Sequence, residues 1–352
     1  TDTDNAAIQF SAGISDSLSA YATSGETTTN LNNIITEDTD VAATVTGTLS
    51  TAQNITDLNA LATKFDDHSG TIVATFSGTK DKLYNSSSSA AILGTGTGDT
   101  IGITISDAVS PSEWVAIKAK TGSTVTASAG FSGALSQYAA GGFTALNFRN
   151  ALANNGSAAV TITGTLGASD IANLNAVASY GSHSGAITAS VSAKLSEYGV
   201  DSLSITSSDA VAVEVTDALT NANLADLITL KGKTSGKVTA SITDTANNLS
   251  GLNTGSGDEI TMSVSGTSDI ADSIVITGKT DAISRITIAK ISDTQGNISG
   301  NDVGSSASLT ALKTQLGVST TADALDGIYD RVTYGTVELT GGAVTVDNAI
   351  PI

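Results

Sequence analysis

His68 and His183 are the only imidazoles in 352 residues, and the chain has no cysteine. Histidine-based catalysis needs a nucleophile, a base and an orienting group within hydrogen-bond reach of one another. Both histidines sit in one short phrase, His68-Ser69-Gly70 and His183-Ser184-Gly185, 115 residues apart. Equivalent turns of two copies of a unit do not converge on one substrate, so the pair reads as a repeat marker. Oxygen ligands make a better case. Asp2, Asp4, Glu37, Asp38 and Asp40 lie close in sequence, and Asp66-Asp67 precede His68. Calcium takes carboxylate and carbonyl oxygens from such turns, which makes Asp38, Asp40, Asp66 and Asp67 the metal candidates and calcium the candidate cofactor. EF-hand spacing and the Gly-Gly-x-Gly-x-Asp nonapeptide are both missing. A solvated acidic surface is the competing reading, since Gly181-Ser182 stands where the first phrase has Asp66-Asp67.

Other motifs point away from chemistry. Gly-Lys-Thr at Gly232–Thr234 and Gly278–Thr280 echoes the end of a phosphate loop, but the upstream glycine is missing and the triplet ends a helix pattern. Both are expected to be helix C-caps. Sequons at Asn54, Asn85, Asn155, Asn248 and Asn297 are what chance gives in so Ser/Thr-rich a chain. Leu-Ser-x-Tyr recurs at Leu18–Tyr21, Leu135–Tyr138 and Leu195–Tyr198. A row of ligand-stacking rings is one reading. Buried tyrosines packed over the turn between units is the expectation, as for most repeated residues of an array. No catalytic residue is assigned, and the chain is not expected to be an enzyme.

The elements behind these residues follow one pattern, seen at Ala158 to Ala193. Val160, Ile162 and Leu166 alternate with threonines, and Ile187, Ala189 and Val191 alternate with Thr188, Ser190 and Ser192. That period of two in β-branched residues is a strand with one buried face. Between them Ile171, Leu174, Val177 and Ala178 recur at helical spacing, with Ser169 as N-cap. Strands joined through a helix run parallel, which predicts a βαβ unit.

Copies of this unit order the chain. Thr46-Gly-Thr-Leu49 matches Thr163-Gly-Thr-Leu166 at an offset of 117, and Ser11–Tyr21 matches Ser128–Tyr138 at the same offset. A second type pairs Lys118–Ala129 with Lys231–Ile242 at 113. It has strand residues Ile101, Ile103 and Ile105, a Ser110-Pro111 helix start, and Trp114 and Ile117 facing inward. Its later copy is expected to place Leu203 and Ile205 on a strand, a helix near Asn223 to Leu230, and Val238, Ala240 and Ile242 on the next strand. The insertion 139–157, with Phe143, Leu146 and Phe148, is expected to be a short helix or a covering loop. The expected segments are 1–40, a partial repeat whose edge wants a partner; 41–157 and 158–257, two repeat pairs; and 258–352, divergent terminal repeats. The last carries helical patterns at Leu309, Leu312, Leu316, Leu325 and Ile328 and strands at Val337, Leu339, Val344 and Val346.

Composition narrows the class. Hydrophobic content is 40% but only 4% is aromatic, so the core is Val, Ile, Leu and Ala in thin layers. Thirty-five glycines against two prolines suit many tight turns between uninterrupted strands. A net charge of −19 disfavours nucleic acid and anionic membranes, which need basic patches. No apolar run is long enough to span a bilayer.

The phrases VTITGTL, SDIANLNAVAS and GAITASVSA, with VTASITDTANNLSGL at Val238 to Leu252, resemble repeats of very large secreted surface proteins of marine bacteria and cyanobacteria, among them adhesins and surface-layer components. The resemblance spans Val41 to Thr294 and implies an extracellular or cell-surface location. The expected fold is a β-rich repeat protein of stacked βαβ-like units forming a solenoid or array, with tandem β-sandwiches as the alternative. The expected role is structural: a segment of a surface layer, filament or adhesive fibre that self-assembles through repeat edges. A glycan- or surface-binding adhesin module, calcium-dependent in one version, is the alternative. The partners expected are other copies of itself and cell-surface polysaccharide.

Overall fold

The computed structural model describes residues 8–83, 98–252, 257–277, 279, 286–294 and 333–340. Two compact units divide the chain: Thr1–Gly164 with Ala172–Thr188, and Thr165–Ile171 with Ala189–Ile352. Both are mixed α/β, with parallel strands and short helices.

In the first unit, strands β1 (Ile14–Ser17), β2 (Ala43–Leu49), β3 (Ile72–Gly78), β4 (Thr100–Ile105) and β5 (Val125–Ala127) lie side by side in chain order. Every neighbouring pair is parallel. Strand β6 (Phe131–Ala134) pairs in parallel with β7 (Val160–Leu166). The predicted strand β8 is present at Ile187–Ala193. In the second unit β9 (Ala210–Leu219), β10 (Val238–Asp244), β11 (Glu259–Ser268), β12 (Ile286–Thr294) and β13 (Thr333–Thr340) again follow chain order in parallel. Such pairing has no place in the antiparallel β-sandwich alternative.

Among the described residues the seven longer helices are α1 (Thr29–Glu37), α2 (Ala52–Asp66), α3 (Pro111–Lys118), α4 (Leu146–Leu152), α5 (Ile171–Ala178), α6 (Leu224–Gly232) and α7 (Ile270–Thr277). Alternation sets the buried face of each strand: Ala43, Val45 and Leu49 of β2 are buried, while Thr44, Thr46 and Thr48 are exposed. Ile55, Leu58, Leu61 and Phe65 of α2 are buried as a stripe at helical spacing. Burying each such side chain stabilises by about 1.5–3 kcal/mol. Starts are capped as their sequences dictate. The Ser110 hydroxyl accepts from the Glu113 N–H while the Glu113 carboxylate accepts from the Ser110 N–H, with Pro111 next. Trp114 then lies buried, its indole N–H donating to the Val125 carbonyl at 3.2 Å.

Two local expectations change. Helix α5 is preceded by a 3₁₀ turn, Ala168–Asp170, and it is the Asp170 carboxylate, not Ser169, that accepts from the Gly167 N–H. Leu203 and Ile205 are buried but lie on no strand; the strand is β9, which begins at Ala210. Alternation reports a buried face, and an extended segment can have one without pairing. The short helix expected in 139–157 is α4, preceded by a small hairpin, Ala139–Ala140 with Phe143–Thr144; the segment is no insertion, because the hairpin Ala22–Thr23 with Glu26–Thr27 and α1 stand at the equivalent place. Leu309, Leu312, Leu316, Leu325, Ile328, Val344 and Val346 lie outside the described residues.

Several strands carry a bulge. The stretch from Thr44 to Thr48 spans only Val73 to Thr75 of the neighbour, and Glu214 to Ala218 likewise spans only Thr239 to Ser241. Gly47, at φ +80°, lies in the first of these, and Gly164, 117 residues later, is at φ +86°. A bulge interrupts the ladder and leaves backbone groups to be satisfied by other means.

Candidate functional site

The tyrosines answer that need. Tyr21 donates to the Thr44 carbonyl at 3.4 Å, and Tyr138 donates to the Thr161 carbonyl at 3.4 Å. Donors and acceptors are each 117 residues apart. The Tyr198 hydroxyl lies 2.8 Å from the Glu214 carbonyl and 3.0 Å from that of Val191. Thr44 and Glu214 are the residues at which the ladder to the next strand loses register. All three rings are buried, so they present no stacking row to a ligand.

Burial holds the Tyr138 and Tyr198 hydroxyls well above the usual phenol range, with the Glu214 charge adding to the effect at Tyr198. The unfolded chain therefore releases these protons first, near the ordinary phenol value of about 10, while the folded chain keeps them. Stability is expected to be unaffected by these groups below that pH and to fall above it, by about 1.4 kcal/mol per pH unit for each tyrosine. Urea titrations between pH 9 and 11 check this: the Tyr198→Phe variant should show a shallower alkaline decline than the parent, and an identical decline would refute the assignment.

The calcium candidates are placed on two turns. Asp38 follows α1, is buried, and accepts from the Phe10 N–H at 2.6 Å. Asp40, exposed, shares a hydrogen bond with it. That bond holds Asp38 below the usual carboxylate range and Asp40 above it, and the Phe10 N–H adds to the lowering at Asp38. Asp66 ends α2 and Asp67 caps it, both exposed. The turns adjoin through the Ser69 N–H and the Thr39 carbonyl, 2.9 Å apart. Among the described residues no three of His, Cys, Asp or Glu form a group able to hold a metal ion.

Asp38 has a counterpart that explains it without a cation. Asn155, 117 residues later, accepts from the Ala127 N–H at 2.9 Å, as Asp38 does from Phe10. An uncharged amide thus fills the same role. Asp38→Asn is expected to keep the parent melting temperature because the acceptor survives, whereas Asp38→Ala lowers it. A calcium-induced rise in the parent's melting temperature that vanishes in Asp38→Asn would instead identify Asp38 as a ligand.

This clamp, an Asx side chain accepting from a backbone N–H some twenty to thirty residues away, is the recurrent polar feature that motif reading missed. Asp99 accepts from Ile72, Asp107 from Lys80, Asp217 from Leu195 and Asp258 from Val238. Asp57 and Asn173 accept from the hairpin glycines Gly25 and Gly142. The acidic count of this chain is therefore partly structural. Asp258 also pairs with Lys231 at 2.8 Å.

The remaining candidates are accounted for locally. His68 Nδ1 lies 2.8 Å from the Lys64 carbonyl, and His183 Nε2 lies 3.2 Å from that of Ala158. Gly232 closes α6, and the buried Thr234 hydroxyl lies 2.7 Å from the Val211 carbonyl while accepting from Gly236 N–H at 2.9 Å. Thr121, 113 residues earlier, bonds the Ile101 carbonyl at 3.0 Å. The first triplet is thus a helix end whose threonine serves the neighbouring strand; Gly278 and Thr280 lie outside the described residues. The sequon residue Asn54 completes the α2 capping box, and Asn155 is buried. Asn85 and Asn297 lie outside the described residues. Among the described residues no helix is long and apolar enough to cross a membrane.

No protein family, no curated protein and no solved structure matches this chain.

Proposed function

We propose that this chain is an extracellular structural protein, a segment or subunit of a surface layer, filament or adhesive fibre that assembles with copies of itself. The observation that carries the reading is the strand order. In each unit successive strands add to the sheet in chain order and in parallel. A sheet that grows in one direction has no geometric reason to stop, and its terminal strands expose unpaired backbone. Strand β1 pairs with β2 on one side only among the described residues. On this reading the βαβ-like units stack as an open-ended array, and edge pairing between copies extends it. The recurrence of clamps and tyrosine bonds at an offset of 117 fits units of one design.

Negative-stain electron microscopy of the purified chain, across concentration and with or without a calcium chelator, tests the proposal. Filaments or sheets are expected. Monodisperse particles at every concentration, in both buffers, would overturn it.

A further inference from the structure

The repeat sets one strand edge of this chain in two surroundings, covered in one and bare in the other. Inside the first unit, β5 and the start of β6 run beside Ile103–Val109. Ile103 faces Val125, Thr104 faces Thr126, Ile105 faces Ala127 and Val109 faces Phe131, all in parallel. The Ser128 N–H donates to the Ile105 carbonyl at 3.0 Å, and the Val109 N–H to the Gly130 carbonyl at 3.3 Å. The Ser132 N–H donates back to the Val109 carbonyl at 3.0 Å. Val125, Ala127 and Phe131 are all buried along this contact.

The same edge recurs 117 residues earlier as Ile8–Ser15. Its inner side is built alike. The Ile14 N–H donates to the Ala42 carbonyl as that of Phe131 does to Ala159, and the Gly13 N–H closes a turn on Phe10 as that of Gly130 does on Ala127. The outer side differs. Among the described residues no strand pairs with Ile8–Ser15 on the side away from β2. Ile8 is 43% exposed where Val125 is 0% exposed, and Phe10 and Ile14 are half-buried where Ala127 and Phe131 are buried. Successive backbone groups of a strand point to opposite sides, so with Ile14 turned to β2 the Ser15 N–H points outward, as that of Ser132 does toward Val109. Apolar side chains beside outward backbone donors and acceptors make an edge suited to an added strand.

The sequence carries a second segment of the covering kind. Val344-Thr-Val-Asp-Asn-Ala-Ile350 reads position by position like Ile103-Thr-Ile-Ser-Asp-Ala-Val109. The threonine and the alanine are identical, and Val or Ile fills the three places held by Ile103, Ile105 and Val109, which are buried in the covered copy. A further phrase of this kind, Val213–Leu219, lies within β9 and is already paired to β10. We propose that Val344–Ile350 of a second copy of the chain lies in parallel along Ile8–Ser15. The covered copy gives the register: Val344 with Ile8, Val346 with Phe10 and Ile350 with Ile14. Two different surfaces meet, so the contact is head-to-tail and repeats from copy to copy. This rests on the self-assembly reading above and names the surfaces that carry it.

Cysteine cross-linking tests it, because the chain has no cysteine of its own. In this register Gln9 faces Thr345 as Thr126 faces Thr104, and paired strands stand about 4.8 Å apart, within reach of a disulfide. Full-length Gln9→Cys and Thr345→Cys proteins, mixed under mild oxidation, should give a disulfide-linked dimer on non-reducing gels that neither gives alone. Adding Ser11→Pro to the first protein should abolish it. That change removes the N–H equivalent to the one Ser128 donates, at the second position of the Phe10–Gly13 turn, which proline suits. Ile8→Asp, at an exposed position, should abolish it too and stays decisive if the proline perturbs the circular dichroism. No mixed dimer, or one that survives Ile8→Asp, overturns the proposal; filaments that still form would then assemble through another surface. A mixed dimer without filaments supports this contact and removes the open-ended array. A disulfide closing within single molecules of a Gln9→Cys/Thr345→Cys double variant at high dilution would place the segment on its own chain and overturn pairing between copies.

Discussion

Replacing Phe148 with alanine is expected to lower stability by about 3–5 kcal/mol, the cost of removing a fully buried ring whose surroundings relax only in part. Phe148 is the centre of the aromatic cluster in the first unit. Its ring meets Tyr138 edge-on at 5.1 Å and Phe131 at 6.3 Å, with Tyr180 at 6.5 Å and His183 at 6.0 Å. Aromatic pairs add about 0.5–1.5 kcal/mol beyond buried area, so the loss belongs at the upper end. The equivalent residue 117 positions earlier is Leu31, also buried. Phe148→Leu is therefore expected to cost much less than Phe148→Ala. Urea unfolding of the two variants decides it: a shift in midpoint at constant slope reports stability alone, and equal midpoints would show that the cluster is not what holds this part of the unit.

Gly130→Ala is the second large effect, expected to cost at least ~2 kcal/mol. Two costs act together. Gly130 sits at φ +77°, where an L side chain loses about 1–2 kcal/mol. An added Cβ would also run into the backbone carbonyl of Ala159, and that carbonyl accepts from the Phe131 N–H at 2.8 Å, where β6 meets β7. Relieving the clash means moving a strand, not a flexible side chain. Gly13 repeats the arrangement against the Ala42 carbonyl at φ +72°, so Gly13→Ala should cost a similar amount. Gly232→Ala is the control: it lies in α6 with nothing within 4 Å of an added Cβ, and is expected to be neutral or to stabilise by up to about 1 kcal/mol. Chemical denaturation of the three variants separates the cases. A Gly130→Ala protein as stable as the parent would mean the β6–β7 junction is free to shift.

Much of this architecture was legible in the residues alone, for a specific reason. Strand alternation at Val160, Ile162 and Ile187, the helical stripe of Ile55, Leu58 and Leu61, and the Ser110-Pro111 start are local properties, and local sequence determines them. The offset of 117 between Ser11–Tyr21 and Ser128–Tyr138 was equally visible, because it needs only comparison of the chain with itself. From these the tyrosines were expected to be buried, and they are.

Tertiary structure alone decided the rest. Leu203 and Ile205 alternate as a strand does, yet pairing depends on what lies alongside, and the ladder starts at Ala210. Phe143 and Phe148 are five residues apart and chemically identical, yet one is exposed and the other is the centre of a cluster. The turn at Gly141-Gly142 and the start of α4 set that difference. The carboxylates are the clearest case. Asp38 looks like a ligand in sequence, because its hydrogen-bond partner, the Phe10 N–H, is 28 positions away. A clamp across that separation leaves no local pattern. Only when the strands are brought side by side does the Asp38 carboxylate meet the backbone it serves.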